Sequence, residues 1–417
     1  MTDRQDASWR APVALVLASS TGGVGQHVLS LVRGLVAAGC PVLVCGPAAT
    51  DQLFGFTAAG ARFAPVEIPA MPGPQDAGAV RALRRALTGT PPVTGRPAAS
   101  AAPSPPAGSP AGATAPPGPV AVVHAHGLRA AFVAALARPG VPLVVTLHNA
   151  VLARGLRGHA SNLVEKVVAR SADVILGASD DLVERARKLG ARDARPGPVA
   201  APAGAPPRRS RAAVRAEFGI PARTPLILSV GRLHPQKRYD VLVDAAARWR
   251  ALDPAPVVVI AGSGPSYMAL AQKASALRAP VTLLGHRGDV PDLLAGADLA
   301  VITSDWEARQ LFAQEALRAG LPLVATAVGG LPGLVGDAAK LVPPGDVDAV
   351  DTAVRELLAD PALRERYAER ARQQAASWPG EADTVAAVRA VYADVTARAS
   401  ATGGATGGAA GSRAGRP

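Results

Sequence analysis

The order of apolar runs along this chain limits its fold more than any other feature. Short runs rich in Val, Leu and Ile alternate with stretches of helical periodicity, a pattern typical of parallel α/β layers. After a connector rich in Pro and Arg, residues 201–211, the alternation repeats from Leu226 to Val342. We therefore predict two Rossmann-like parallel-sheet domains. Strands of the first half are predicted at Val13–Leu17, Val42–Cys45, Val120–His124, Leu143–Thr146 and Val174–Leu176.

Length and local composition set the predicted domain limits. A chain of 417 residues, 49% of them apolar, is too long for one comfortable core and large enough for two. We expect an N-terminal domain over residues 1–200, a C-terminal domain over 201–380 and a C-terminal helix over 381–402. Residues 88–119 and 403–417 consist mainly of Pro, Ala, Gly, Ser and Thr. They are predicted to be a disordered insertion and a disordered tail.

A Gly-Arg-x4-Lys element at Gly231, Arg232 and Lys237 follows the predicted strand Leu226–Val230. Open α/β sheets bind ligands at the carboxyl ends of their strands, where this element lies. Arginine offers a planar fork to phosphate oxygens and lysine a mobile point charge, so the pair suits a diphosphate. The alternative is that both cations are solvated loop residues.

Two glutamates, Glu307 and Glu315, form an E-x7-E element after the predicted strand Leu299–Thr303. A helix is predicted from Gln310 to Ala319, closed by a C′ glycine. Carboxylates can hold hydroxyl groups, and two of them can hold two parts of one extended ligand. A nucleotide sugar carries both hydroxyls and a diphosphate. In the alternative, Glu307 interacts with the helix dipole and Glu315 is a solvated residue, although the neighbours of Glu315 are apolar.

An ordered series of motifs resembles the retaining glycosyltransferases of family 4, which have the GT-B fold. The N-terminal half is similar in STGGVGQHV, VVHAHG and VVTLHN. The series from about Pro225 to Val350 reads SVGRLHPQKRYDVLVDAA, VVVIAGSGP, LLGHRGDVPDLLAGADLAVITS, WEARQLFAQEALRAGLPLVATAVGG and AKLVPPGDVDAV. The resemblance implies two Rossmann-like domains facing across a cleft, with the last helices crossing back onto the first domain.

The implied activity is transfer of a sugar from a nucleotide diphosphate sugar to an acceptor hydroxyl, with retention at the anomeric carbon. By the same resemblance, Arg232 and Lys237 neutralise the departing diphosphate. Glu315 holds ribose hydroxyls and Glu307 holds hydroxyls of the transferred sugar. No protein nucleophile is implied, and no cofactor beyond the donor is expected. The acceptor is a lipid-linked, cell-envelope or small molecule.

Further donor-binding residues follow from the resemblance. Backbone contacts to the base and sugar are implied for His286 and Arg287 and for the Gly329–Gly330 turn, and Gly231 belongs to the same set. The chain departs from the family at two places. Residues 308–310 read Ala-Arg-Gln where many members have Gly-Phe-Gly, and Arg238 stands where a glycine often follows the lysine. Both departures bear on which sugar is transferred.

The glycine-rich turn near Gly22 and Gly23 is neither a P-loop nor a complete dinucleotide fingerprint. It lacks Gly-Lys-Ser/Thr, and Val28 occupies the third glycine position. The two glycines permit close backbone approach of an anion to a helix N-terminus, or they form an ordinary tight turn.

Histidines mark the ends of two predicted strands in the first half. His148 points into the cleft if the domains face each other, where the family commonly has a histidine that contacts the sugar or acceptor; a structural role is the alternative. His124 and His126 share one strand face, but no third ligand is apparent in the sequence. A metal site is therefore not expected.

Charge and cysteine content restrict partners and compartment. The formal net charge of +12 favours anionic partners, namely a nucleotide diphosphate or an acidic membrane surface. Aromatic residues make up only 3%, which argues against nucleic acid. Cys40 and Cys45 are predicted core thiols of a reducing compartment. With a polar N-terminus and no long apolar segment, we expect a cytoplasmic protein, peripheral at the inner face of the membrane.

Two other functions stay open on the sequence alone. A nucleotide-sugar epimerase of the same two-domain shape would convert the donor without an acceptor. A non-catalytic sugar-nucleotide sensor would bind the donor and never turn it over.

Overall fold

The computed structural model describes residues 9–20, 22–69, 71–89, 119–151, 155–197, 199–200 and 204–406. Most of the predicted disordered insertion, 88–119, and of the predicted tail, 403–417, lies outside these residues. Helices ending at Thr88 and Thr406 reach into the first residues of both segments.

In the described part of the chain, the first sheet has seven parallel strands in the order β3-β2-β1-β4-β5-β6-β7. These strands are β1 (Val13–Leu17), β2 (Val42–Gly46), β3 (Arg62–Pro65), β4 (Val122–His126), β5 (Leu143–Leu147), β6 (Val174–Gly177) and β7 (Ala194–Pro196). Helices of this half are α1 (Gly23–Ala37), α2 (Ala48–Phe54), α3 (Asp76–Thr88), α4 (Leu128–Ala137), α5 (Gly155–Ser171) and α6 (Asp180–Lys188).

The second sheet has six described parallel strands in the order β10-β9-β8-β11-β12-β13. These strands are β8 (Leu226–Val230), β9 (Val257–Ala261), β10 (Val281–Gly285), β11 (Leu299–Ile302), β12 (Leu323–Thr326) and β13 (Ala339–Val342). Its helices are α7 (Arg211–Glu217), α8 (Tyr239–Trp249), α9 (Tyr267–Ala276), α10 (Val290–Gly296), α11 (Leu311–Arg318), α12 (Leu331–Val335), α13 (Val347–Ala359) and α14 (Pro361–Ala376), with a 3-10 turn at Pro235–Lys237.

Burial of the central strands explains why the alternating pattern predicted this fold correctly. Every residue of β1 is fully buried, because helices cover both faces of a parallel sheet. Cys40 and Cys45 are buried free thiols, as expected. The strand predicted at Val120–His124 is displaced, since its ladder with β1 begins only at Val122. Val120 is nevertheless buried against the core of the first domain.

The last helical segment divides between the two domains. α14 ends at Ala376, and after a break α15 (Glu381–Thr406) covers residues 381–402, where the C-terminal helix was expected. Pro379 lies in that break, and proline disfavours helix at the residue before it. Val385 and Tyr392 of α15 pack into the core of the first domain, so this helix does cross back.

One loop of the second domain inserts into the first. Trp306, which follows β11, is buried in a hydrophobic cluster formed mostly by the first domain. Its indole Nε1 donates a hydrogen bond of 2.7 Å to Asp181 Oδ2 at the start of α6. The loop that carries Glu307 therefore contacts both domains. Separately, none of the described helices combines the length and apolar character needed to cross a membrane.

Candidate active site between the two domains

A cavity of about 460 Å³ lies between the domains, at the carboxyl ends of β1, β5, β8 and β11. Parallel strands end at one edge of a sheet, so residues far apart in the chain meet there. The cavity is also lined by Ala308, Arg309 and Gln310, which depart from the family pattern. Eight of the predicted site residues line it: Gly22, Gly23, His148, Gly231, Arg232, Lys237, Glu307 and Glu315.

The two sequence elements meet in an ion pair. Lys237 Nζ lies 2.5 Å from Glu307 Oε1, and the two side chains are only 15% and 10% exposed. Ser304 Oγ donates a second hydrogen bond of 2.6 Å to the same oxygen. The resemblance to the family assigns the lysine to the diphosphate and the glutamate to sugar hydroxyls, and it does not predict this ion pair. In the ligand-free site, each charge compensates the other.

Glycines behind the loop fix the position of Glu307. Gly329 has φ +52°, and a side chain there would lie 2.1 Å from the Glu307 carbonyl oxygen. The amide of Gly330 donates to that same carbonyl at 2.8 Å. Neither glycine lines the cavity, so they position the glutamate within the protein.

Arg232 presents a further cation at the cavity. Its side chain is exposed towards the cavity, and no carboxylate pairs with it among the residues that the structure describes. The preceding Gly231 leaves no room for a side chain, because a Cβ would lie 2.8 Å from the Tyr239 hydroxyl. Arg232 is therefore available to an anionic ligand.

Glu315 lies on α11 and faces the cavity as a half-buried side chain. Burial raises the pKa of its carboxyl to about 7, an effect that nearby Arg318 partly opposes. Its half-buried position in the cavity wall argues against the solvated-residue alternative for Glu315. A half-buried carboxylate is a strong acceptor for ligand hydroxyls, because little water competes for it.

The glycine turn places the N-terminus of α1 at the cavity. A side chain at Gly22 would meet no protein atom within 4 Å, and one at Gly23 would only touch Leu311. The first-turn amides of Gly23 and Val24 have no acceptor in the described part of the chain. Free amides at a helix N-terminus favour an anion. The glycine with a packing role is Gly25, where a Cβ would overlap Phe54.

A cluster of four buried histidines lies beneath the first-domain wall of the cavity. His124 is fully satisfied, by Tyr392 Oη at 2.7 Å and by Thr146 Oγ1 at 2.7 Å. His126 Nδ1 lies 3.3 Å from Nε2 of His148, the cluster member that lines the cavity. Burial lowers the pKa of every member, to about 4 for His27 and about 3 for His124. At neutral pH these rings are uncharged.

The histidines correct one argument from the sequence. His124 and His126 are not a ligand pair; instead His27, His126 and His148 bring nitrogens within 4.8 Å of one another. A third nitrogen donor therefore exists, because α1 carries His27 beside β4 and β5. The groups that shift these pKa values include no carboxylate. Three neutral imidazoles can nevertheless ligate Zn²⁺, so the expected absence of a metal stays a prediction.

Two predicted contact residues lie elsewhere. His286 and Arg287, after β10, do not line the cavity. The Arg287 guanidinium pairs with Asp289 at 2.6 Å and with Glu217 at 2.9 Å, in a surface network around α7 and α10. Its side chain is therefore committed to the protein surface, and a backbone contact to a ligand stays a prediction.

Both halves of the chain match models of glycosyl transferases. Residues 22–201 match the model described as glycosyl transferase 4-like domain, and residues 210–374 match glycosyl transferases group 1. The D-inositol 3-phosphate glycosyltransferase of Salinispora arenicola is 33% identical over 66% of this chain and 69% of its own length. The alpha-D-kanosaminyltransferase of Streptomyces kanamyceticus is 32% identical over 56% of this chain and 65% of its own.

Solved structures agree on the fold. HepE from Anabaena, solved with UDP and glucose, superposes with a TM-score of 0.70 over 95% of this chain and all of that one, at 18% identity. Two facing Rossmann-like domains with a cleft between them form the GT-B architecture. The chain belongs to the family 4 glycosyltransferases.

Proposed function

We propose that the protein transfers a sugar from a nucleotide diphosphate sugar to an acceptor hydroxyl, with retention of anomeric configuration. The main support for this function is that Arg232, the Lys237–Glu307 pair and Glu315 converge in one interdomain cavity. That set supplies cations for a diphosphate and carboxylates for two groups of hydroxyls. HepE, which shares the fold, was solved with UDP-glucose.

Donor binding has to separate Lys237 from Glu307, so that each residue contacts a different group of the ligand. In this proposal the diphosphate approaches Lys237 Nζ while a sugar hydroxyl donates to the carboxylate of Glu307. Arg232 and the free amides of α1 contact the diphosphate from either side. Glu315 accepts hydrogen bonds from the ribose. The ligand thus replaces the internal ion pair with an ion pair between Lys237 and the diphosphate and a hydrogen bond from a sugar hydroxyl to Glu307.

Leaving-group stabilisation is the main catalytic contribution. Negative charge grows on the diphosphate as the bond to the anomeric carbon breaks, and fixed cations stabilise that charge more in the transition state than in the ground state. Uncharged His148, at the first-domain wall, can hydrogen-bond the transferred sugar or the acceptor. No protein nucleophile is assigned.

Activity should survive an excess of EDTA with less than about a twofold change, because Arg232 and Lys237 neutralise the diphosphate without a metal. The measurement is release of nucleoside diphosphate with and without the chelator. Loss of activity that magnesium or manganese restores would contradict this. Restoration by zinc alone would point to the three clustered histidines.

Product analysis tests the function itself. We expect released nucleoside diphosphate and a glycosylated product from a panel of nucleotide sugars, with D-inositol 3-phosphate as the first acceptor because a relative is named for it. Donor converted to an epimer without nucleotide release would indicate an epimerase. Donor bound but unchanged with every acceptor would indicate a sensor.

We also propose cytoplasmic location and peripheral association with an anionic membrane surface, from the formal net charge of +12. Sedimentation with phosphatidylglycerol vesicles should be clear at low salt and lost at high salt. Equal sedimentation with purely zwitterionic vesicles would contradict an electrostatic association.

A further inference from the structure

Arg309 is a cavity residue to which the proposed mechanism gives no role. It lies two residues after Glu307, in the loop that precedes α11. Its Nε donates a hydrogen bond of 3.2 Å to the carbonyl of Val199, which also lines the cavity. This contact anchors one edge of the guanidinium against the first domain.

The remaining part of this guanidinium lacks a partner. Nη2 is buried and makes no hydrogen bond within the described residues. No carboxylate pairs with Arg309 in that same part of the chain. Burial, with repulsion from Arg318, lowers its pKa, so the ligand-free site holds this charge at a cost. A buried cation without a counterion indicates an anion that arrives from outside.

Arg309 and Arg232 lie on different loops, and Arg309 contacts the first domain. Arg232 follows β8, whereas Arg309 follows the neighbouring strand β11, and the Lys237–Glu307 pair links the two loops. Beyond β11 lies the β12 turn, where a Cβ on Gly330 would meet both Ala308 and Ser179 of the first domain. Arg309 therefore lies on the first-domain side of Glu307, next to the residue proposed to hold the transferred sugar.

We propose that Arg309 recognises a carboxylate on the transferred sugar, so that the preferred donor is a nucleotide-linked uronic acid. The inference rests on the proposed function and names its donor class. A planar guanidinium matches a carboxylate with two parallel hydrogen bonds from two of its nitrogens. Nε is engaged by Val199, and Nη1 and Nη2 make no hydrogen bond within the described residues. A neutral sugar leaves Nη2 unpaired, so the site discriminates against it.

The test compares matched donors by isothermal titration without an acceptor. The pairs are UDP-glucuronate with UDP-glucose, and GDP-mannuronate with GDP-mannose, with UDP and GDP alone as references. One uronate should bind about 10- to 100-fold more tightly than its neutral counterpart. Arg309→Gln should abolish that preference and leave nucleotide diphosphate binding within about twofold, whereas Arg309→Lys should retain part of it.

Arg185→Gln serves as the charge control, because Arg185 pairs with Glu165 on the surface, outside the cavity. This variant should keep the full preference for the uronate. Equal binding of uronate and neutral sugar by the wild-type protein overturns the inference. A preference that survives in Arg309→Gln also overturns it.

Two further outcomes separate this inference from the function on which it rests. If Arg309→Gln weakens UDP or GDP alone as much as the uronate donor, Arg309 binds the diphosphate and the donor class is wrong. If neither nucleotide nor any of the four sugars binds, the proposed function fails together with the inference. If the nucleotides bind but the uronate and neutral donors bind equally well, the inference about Arg309 is wrong and the proposed function is not contradicted.

Discussion

Replacing Glu315 with glutamine should lower kcat/KM roughly ten- to several-hundred-fold, because the carboxylate accepts charge-assisted hydrogen bonds from the ribose. The ribose is remote from the reacting carbon but fixed relative to it. Loss of the contact between Glu315 and the ribose therefore affects both the binding of the donor and the alignment of its reacting carbon. Steady-state kinetics with the best donor measures the effect. Normal binding and transfer by Glu315→Gln would remove the E-x7-E element from the donor site.

Stability separates a functional Glu315 from a structural one. The pKa of this carboxyl is raised from 4.5 to about 7, so the folded protein holds its proton more tightly than the unfolded chain. Its contribution to the free energy of unfolding is therefore fully present below the unfolded pKa and is lost as pH rises to about 7. At alkaline pH, Glu315→Gln removes a buried charge. Its melting temperature should equal or exceed that of the wild-type protein.

The same pKa predicts how donor binding depends on pH. If the ionised carboxylate binds the ribose, apparent donor affinity should fall about tenfold between pH 8 and pH 6, following the ionised fraction. The clustered histidines do not titrate in this range, since burial keeps their pKa values low. A nucleotide sugar is the right probe, because a free diphosphate also titrates there. Glu315→Gln should lose this dependence, and a variant that retains it would assign it to another group.

Replacing Lys237 with alanine should lower kcat by about 100- to 1,000-fold, with a smaller effect on donor binding, because charge on the leaving group grows towards the transition state. The structure adds a second consequence. Glu307 is left buried without its partner, and only the Ser304 hydroxyl and a weak contact from Gln310 remain. The melting temperature should therefore fall.

A double variant separates these two effects. Lys237→Ala combined with Glu307→Gln removes the unpaired charge and should recover most of the lost melting temperature. Its kcat should still lie far below that of Glu307→Gln alone, because the cation at the diphosphate is missing. If the two kcat values agree, Lys237 serves only to neutralise Glu307, and its proposed role at the leaving group is wrong.

The fold could be predicted wherever burial dominates the sequence pattern. The strands Val13–Leu17 and Leu226–Val230 were predicted with their observed bounds, because apolar runs report burial directly. The edge strand Arg62–Pro65 was missed, since its residues are largely exposed and carry no apolar run.

The candidate site was predictable as a set of residues and not as a set of contacts. Strand ends mark where Arg232, Lys237, Glu307 and Glu315 converge, because parallel sheets place all carboxyl ends together. The contact between Lys237 and Glu307 depends on loop geometry that no local pattern encodes. The approach of His27 to His126 and His148 likewise depends on how α1 packs on the sheet. Sequence spacing therefore predicts which residues form the site, whereas tertiary packing determines which of them contact one another.

Binding of nucleotides without a sugar shows whether a diphosphate lies against Arg232 and Lys237. Isothermal titration should compare UDP, GDP and ADP with UMP, GMP and AMP, in buffer free of divalent cations. For one base, the diphosphate should bind at least about tenfold more tightly than the monophosphate, and Arg232→Gln should reduce that difference. If each monophosphate binds as tightly as the diphosphate of the same base, or if none of the six nucleotides binds, Arg232 and Lys237 do not form a diphosphate site.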